Sequence, residues 1–133
     1  MVTDSRRLTL RKTERLYEKK AIETLFADGK SFSSPPLRLL WTVFEGKAEP
    51  PVKVAFAVPK RSFKRAVDRN LLKRRMREAY RKNKYILYGA AESNMKHYQM
   101  MFVYTGKDKA LYPEIESKIV LTLQRLVDKT NGK

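Results

Sequence analysis

The sequence predicts a single α+β domain in the order helix, three strands, helix, strand, helix, with a sheet of about four strands. Three observations lead there. The chain has 133 residues, the length of one domain. Apolar runs of strand length occur at residues 37–45, 52–58 and 98–105, and helical spacing of apolar residues marks residues 18–27, 66–84 and the stretch that begins at Pro113.

Taken in order, the first helix rests on Ala21, Ile22, Leu25 and Phe26, which recur at spacings of one, three and four, with Gly29 as its stop. A short strand is expected around residues 31–34, before Pro35 and Pro36. Residues 37–45 are rich in β-formers, and the following residues, through Pro50 and Pro51, read as a loop between two strands. In the next strand Val54, Phe56 and Val58 alternate with Lys53, Ala55 and Ala57, so one face is bulky and the other small. A small face suits a partner that packs close. Pro59 ends this strand. In the helix at 66–84, Leu72, Met76, Ala79, Tyr80 and Asn83 share the side that should meet the core. Residues 98–105 read as a central strand ended by Gly106. The last helix has Pro113 at its first position and Glu114 and Glu116 in its first turn, and it turns Ile115, Ile119, Leu123, Leu126 and Val127 to one face.

Charge is the strongest functional signal. Thirty Lys and Arg against 14 Asp and Glu give +16, an excess most simply balanced by a polyanion. It is concentrated: residues 60–84 hold twelve basic side chains against Asp68 and Glu78, so +10 falls in that segment. The first twenty residues add +4, and residues 1–12 read as a basic, flexible arm. With 42% hydrophobic residues the chain has a core and is not a disordered polycation. The absence of cysteine excludes disulfides, thiolate metal sites and cysteine nucleophiles, and the lone His97 cannot build a histidine-rich metal site. No apolar stretch reaches the roughly 18 residues of a membrane span, and the N-terminus lacks the apolar segment of a signal peptide, so a cytoplasmic protein with no membrane partner is expected.

On the helix at 66–84, Arg69, Asn70, Lys73, Arg74, Arg77 and Arg81 occupy an arc of roughly 140° away from the core side. A rigid row of cations matches a phosphate backbone, and an arginine fork can bond two phosphate oxygens at once. A merely solvated helix would interleave acids four residues away, and Asp68 and Glu78 both lie outside this arc.

The stretch Val58-Pro59-Lys60-Arg61, followed by Lys64-Arg65-Ala66-Val67-Asp68-Arg69-Asn70-Leu71-Leu72-Lys73-Arg74-Arg75-Met76-Arg77-Glu78-Ala79-Tyr80, resembles the signature helix of the bacterial ribonuclease P protein subunit. Leu25-Phe26-Ala27-Asp28-Gly29-Lys30-Ser31 looks like the end of that family's first helix, and the likeness covers roughly residues 10 to 128. Departures fall in the cleft region: Ile22 stands where a second aromatic is common, Leu40 with Trp41 beside it where the family carries a strand aromatic, and Tyr104-Thr105-Gly106-Lys107 lacks the usual arginine.

The resemblance implies a subunit that binds the catalytic RNA of ribonuclease P and the 5′ leader of precursor transfer RNA, and so assists endonucleolytic leader removal. Carried over residue by residue, Lys60, Arg61, Lys64, Arg65, Arg69, Asn70, Lys73, Arg74 and Arg77 face the catalytic RNA, while Phe26, Arg38, Leu40 and Ala57 line a leader cleft between the first helix and the sheet. It further implies a left-handed crossover between two parallel strands around the signature helix, a ribosomal protein S5 domain 2-like fold that breaks a strong general rule. No catalytic residue, cofactor or metal is expected in the protein itself: His97 is isolated and the carboxylates lack motif spacing, so the magnesium the holoenzyme needs belongs to the RNA. No obligatory protein partner is expected. A structural RNA-binding protein, such as a ribosomal protein, has the same size and basicity, and a DNA-binding helix-turn-helix is disfavoured because a strand, not a helix, precedes Ala66.

Overall fold

The computed structural model describes residues 10–130. Among these residues, four strands and four helices follow a 3-10 turn at Lys12–Glu14: α1 (Lys19–Asp28), β1 (Lys30–Ser34), β2 (Leu37–Glu45), β3 (Val52–Ala57), α2 (Ala66–Asn83), α3 (Tyr85–Ser93), β4 (Lys96–Tyr104) and α4 (Tyr112–Thr130). The sheet runs β1-β2-β4-β3. Antiparallel pairing joins β1 to β2 and β2 to β4, while β3 lies parallel to β4, so the chain between those neighbours makes a crossover through α2 and α3.

Alternation along the strands assigns the two faces. Leu37, Leu39 and Trp41 of β2, Val52 and Val54 of β3, and Met100, Phe102 and Tyr104 of β4 point to one face. There they meet Leu72, Met76, Ala79 and Tyr80 of α2, Leu87 and Ala91 of α3, and Ile115, Ile119, Leu123 and Leu126 of α4, all buried. Burial of a large aliphatic side chain stabilises by about 1.5–3 kcal/mol, so this face holds most of the fold's apolar stabilisation. The core sides read from the helical spacings of α2 and α4 are the buried ones, with Val127 half-buried at the margin and Asn83 donating to the Ala79 carbonyl and to Glu116.

The opposite face is only partly covered. α1 lies on it, with Leu25 packed beside Leu16 and Met101 and flanked by Ala21, Ile22, Ala55, Ala57 and Val103. Ala55 and Ala57 form the expected small face of β3.

Several expectations change. α3 was not anticipated; Gly89 within it lowers helix propensity, yet Leu87 and Ala91, four apart, are both fully buried and hold it in place. Gly29 does end α1, but not as the left-handed cap usually associated with glycine: its φ is −69°. A Cβ there would stand 2.4 Å from the Leu25 carbonyl oxygen, so close approach of backbone is what requires glycine. The predicted arm at 1–12 falls partly outside the described residues, and its last three residues are not loose. Leu10 belongs to the main core, and Lys12 opens the 3-10 turn.

Candidate nucleic-acid interface

α2 is built to hold two faces apart. Its apolar residues at 72, 76, 79 and 80 bury against the sheet, which fixes the direction in which every other side chain leaves the helix. Asn70 and Arg74 are exposed, and Lys73 and Arg77 are half-buried at the flank. Lys60, Arg61, Lys64 and Arg65 project from the exposed loop that leads into the helix. The structure therefore gathers all nine residues predicted to meet RNA onto α2 and the loop before it.

They are not equivalent. Arg69 turns back: its Nη1 donates to the carbonyls of Phe63 and Lys64, each at 2.8 Å, and clamps the loop onto the first turn of α2. Arg65 lies 4.0 Å from Asp68. Arg81, counted with the cationic arc in the sequence, chelates Glu78 at 2.6 and 3.0 Å, and Arg75 donates to the Ala110 carbonyl at 2.6 Å. These cations serve the fold. By contrast Lys60, Arg61, Lys64, Lys73, Arg74 and Arg77 show no acidic partner within 4 Å among the described residues. Arg77 is the most crowded. Burial first, then the charges of Arg15 and Arg74, pull its guanidinium below the usual arginine value.

Arg15 comes from the segment before α1. It bridges Val54 on the outer edge of β3, where the Leu16 amide donates to the Val54 carbonyl at 2.9 Å. That segment is pinned by Glu14, which is fully buried and accepts hydrogen bonds from Lys84 at 2.6 Å, from the Tyr88 hydroxyl and from the Arg11 amide at 2.7 Å. Burial would raise the Glu14 carboxyl, but these bonds together with the Lys84 charge prevail and hold it below the ordinary carboxylate value.

On the second sheet face, register places Arg38, Val103 and Ala57 side by side in one row and Leu40, Met101 and Ala55 in the next. Phe26 is 62% exposed on α1, so it is not the core aromatic that its helical spacing allowed. Arg38 is exposed too, with Ser31 3.5 Å away across the strand pair. Ala57 is half-buried. Leu40 corrects the expected cleft: at 4% exposure it is a buried neighbour of Met101 and offers a ligand almost no surface. Further along this face His97 stacks on Phe44 with ring centroids 5.0 Å apart. Among the described residues no three His, Asp or Glu side chains gather as a metal cage would need.

A mixed four-stranded sheet, with a helix on its filled side that carries Lys73, Arg74 and Arg77 without acidic partners among the described residues, and a half-covered second face, defines a small basic α+β protein of the RNA-binding class. The ribonuclease P family matches residues 10–127. The ribonuclease P protein component of Porphyromonas gingivalis is 32% identical over 117 residues, covering 88% of this chain and 85% of that protein. That of Chlorobium phaeobacteroides is 40% identical over 116 residues, covering 81% and 79%. In fold the chain is similar to the RNase P protein of Thermotoga maritima, with a TM-score of 0.64, 21% identity and coverage of 84% and 96%. The Staphylococcus aureus protein gives 0.65 and 14%, with coverage of 85% and 94%. The chain belongs to the ribonuclease P protein family: it is the protein component of an RNA-processing endoribonuclease, and ribonuclease P RNA is its partner.

Proposed function

We propose that the chain docks on the catalytic RNA through the partner-free cations of α2 and its preceding loop. The half-covered sheet face beside α1 then receives the single-stranded 5′ leader of precursor transfer RNA, whose removal the complex carries out in the cytoplasm. The observation that carries this reading is the row Lys73, Arg74 and Arg77, left without acidic partners on a helix whose other arginines are all engaged. Six or more such cations can each neutralise a phosphate, and released counterions then drive association. Phe26 supplies an exposed ring for stacking on an unpaired base, and the small row of Ala55 and Ala57 lets a nucleotide backbone approach the strands.

The cleavage chemistry and the magnesium ions that serve it are assigned to the RNA. In support, the buried carboxylate Glu14 is consumed by Lys84 and Tyr88, and the other described carboxylates that make close contacts pair with neighbouring cations or amides. Reconstitution tests the proposal. Purified chain, cleared of RNA by nuclease treatment, should not cleave precursor transfer RNA in magnesium, and should restore 5′ cleavage to ribonuclease P RNA at low magnesium. Cleavage by the nuclease-treated protein alone, or failure to stimulate the RNA, would overturn it.

A further inference from the structure

Resting on the docking role just proposed for α2, we infer that Arg15, delivered by the segment paired to the edge of β3, joins Arg74 and Arg77 in one binding notch for a backbone phosphate of the catalytic RNA. Two elements remote in sequence build the notch. The Glu14 anchor and the Leu16–Val54 hydrogen bond fix the backbone on either side of Arg15, so its position beside α2 is imposed rather than incidental.

The Arg15 side chain lacks what a structural arginine has. Its Nε is buried and donates to nothing, whereas Arg69 and Arg75 are each satisfied by carbonyls. A buried donor without an acceptor opposes folding, and native proteins rarely leave one unless a further group completes it. The acids nearest in sequence are already committed: Glu14 to Lys84, Tyr88 and Arg11, and Glu18 to Lys53 at 3.9 Å. Leu16 packs on the second sheet face, so the extended backbone turns Arg15 to the opposite face, where α2 lies, and the charges of Arg15 and Arg74 are those that bear on Arg77. Three guanidinium groups set together repel one another unless an anion sits among them, and their planar forks suit the oxygens of a phosphate better than a lone ammonium would. Continuity with the docking row sets the occupant. Arg74 and Arg77 already belong to the row offered to the catalytic RNA, so a phosphate in the notch belongs to the same strand.

The test measures affinity of the full-length chain for ribonuclease P RNA across a salt series, for the wild type, Arg15→Met, Arg15→Gln and Arg15→Lys, with melting temperatures alongside. Arg15→Met keeps the apolar stem and loses one phosphate contact, so its slope of log affinity against log salt should flatten by roughly 0.7 to 0.9. Arg15→Gln should match it. Arg15→Lys should keep the wild-type slope with weaker binding at each salt concentration. If Arg15→Met melts early, the difference between the Gln and Lys variants carries the result. Equal slopes for Gln, Lys and wild type would overturn the inference, as would a loss confined to precursors bearing a leader, which would assign Arg15 to the substrate. A wild-type chain without affinity for the RNA would instead overturn the docking role, and the notch with it.

Discussion

Two sets of cations share α2 and its surroundings, and residue type does not tell them apart. Lys84, Arg69, Arg75 and Arg81 each reach a carboxylate or carbonyl of the same chain within 3.0 Å. Lys73, Arg74 and Arg77, on turns between them, have no acid within reach among the described residues. Their direction from the helix separates them. The first set leaves toward the N-terminal segment, the β3–α2 loop, the α4 approach or a neighbouring acid, and the second leaves along the exposed side and flank of α2, where no carboxylate or carbonyl of the described residues takes it up. Removing a cation of the first set should cost stability, and removing one of the second should cost RNA affinity and leave the fold alone.

The largest expected effect is at Lys84, which is 3% exposed and paired to a carboxylate that is fully buried. Lys84→Met takes the buried cation away from Glu14 and leaves the half-exposed Arg11 guanidinium, 3.3 Å away, as its remaining ion-pair partner among the described residues, at a cost of about 3–5 kcal/mol at neutral pH. The Glu14→Gln, Lys84→Met double variant should recover much of that. The sign of the pH response separates the cases. In the wild type the Glu14 carboxyl lies below its ordinary value of 4.5, so its contribution is fully present above that value and is lost as pH falls through the lower folded value. In Lys84→Met burial is opposed by fewer partners, the folded value rises, and the variant should lose less stability than the wild type on acidification. Melting curves from neutral pH to pH 3 check this. A wild-type melting temperature for Lys84→Met would place Lys84 in the other set.

The converse variant, Lys73→Ala with Arg74→Ala and Arg77→Ala, removes three cations that hold nothing in the protein. Its melting temperature should stay within a few degrees of wild type, since none of the three makes an ion pair with an acid among the described residues, and what is lost is the packing of the half-buried Lys73 and Arg77 stems. Its slope of log affinity for the catalytic RNA against log salt should flatten by about two to three units. An unchanged slope in a folded variant would move the interface off α2.

Much of this was legible from sequence, for reasons visible in individual residues. The apolar spacing of α2 and α4 reports burial directly because a helix buried on one side has no other way to place its apolar residues, and the alternation of bulky and small residues in β3 reports a sheet with two unlike faces. The two sets of cations were not separable. Arg69 and Arg74 look alike in sequence, and the carbonyls that capture Arg69 belong to a loop whose path depends on tertiary packing. Glu14 reads as one of three acids among the basic first twenty residues; Lys84 and Tyr88, which hold it, lie 70 and 74 residues away, and no local spacing points to them. Arg15 was hidden for the same reason. Leu40 sits in a strand whose alternation does give its face, but the amount of that face covered by α1 is a matter of helix placement, which periodicity alone does not fix.

Arg69 provides a smaller test that joins the two sets. Its two bonds hold the loop bearing Lys60, Arg61 and Lys64 against α2, and a hydrogen bond to a charged group contributes about 1.5–3 kcal/mol, with the lower figure apt for a partly exposed site. Arg69→Met should lower the melting temperature modestly and weaken RNA binding indirectly, through a looser loop, with little change in salt slope. A slope change of a full unit at unaltered stability would return Arg69 to the docking set.

The smallest expected change in stability belongs to Phe26, and it extends the contrast from cations to the second sheet face. A ring 62% exposed on α1 contributes little to the core, so Phe26→Ala should melt within about 0.5 kcal/mol of wild type. If the ring stacks on an unpaired leader base, its loss removes about 1–3 kcal/mol, a five- to 150-fold weakening of precursor binding by the reconstituted complex. Mature transfer RNA has no leader and should bind as before, and so should the catalytic RNA if it docks on α2. Phe26→Tyr keeps an aromatic face and should retain precursor affinity, whereas Phe26→Leu keeps apolar bulk without the ring and should fall with Ala. Binding is measured for precursors with long, short and absent leaders. A Phe26→Ala complex that is folded, assembled and keeps the wild-type ratio of affinities across that series would remove Phe26 from the leader path and leave Arg38 and Ala57, on the neighbouring strands, as the remaining residues of that face to be tested.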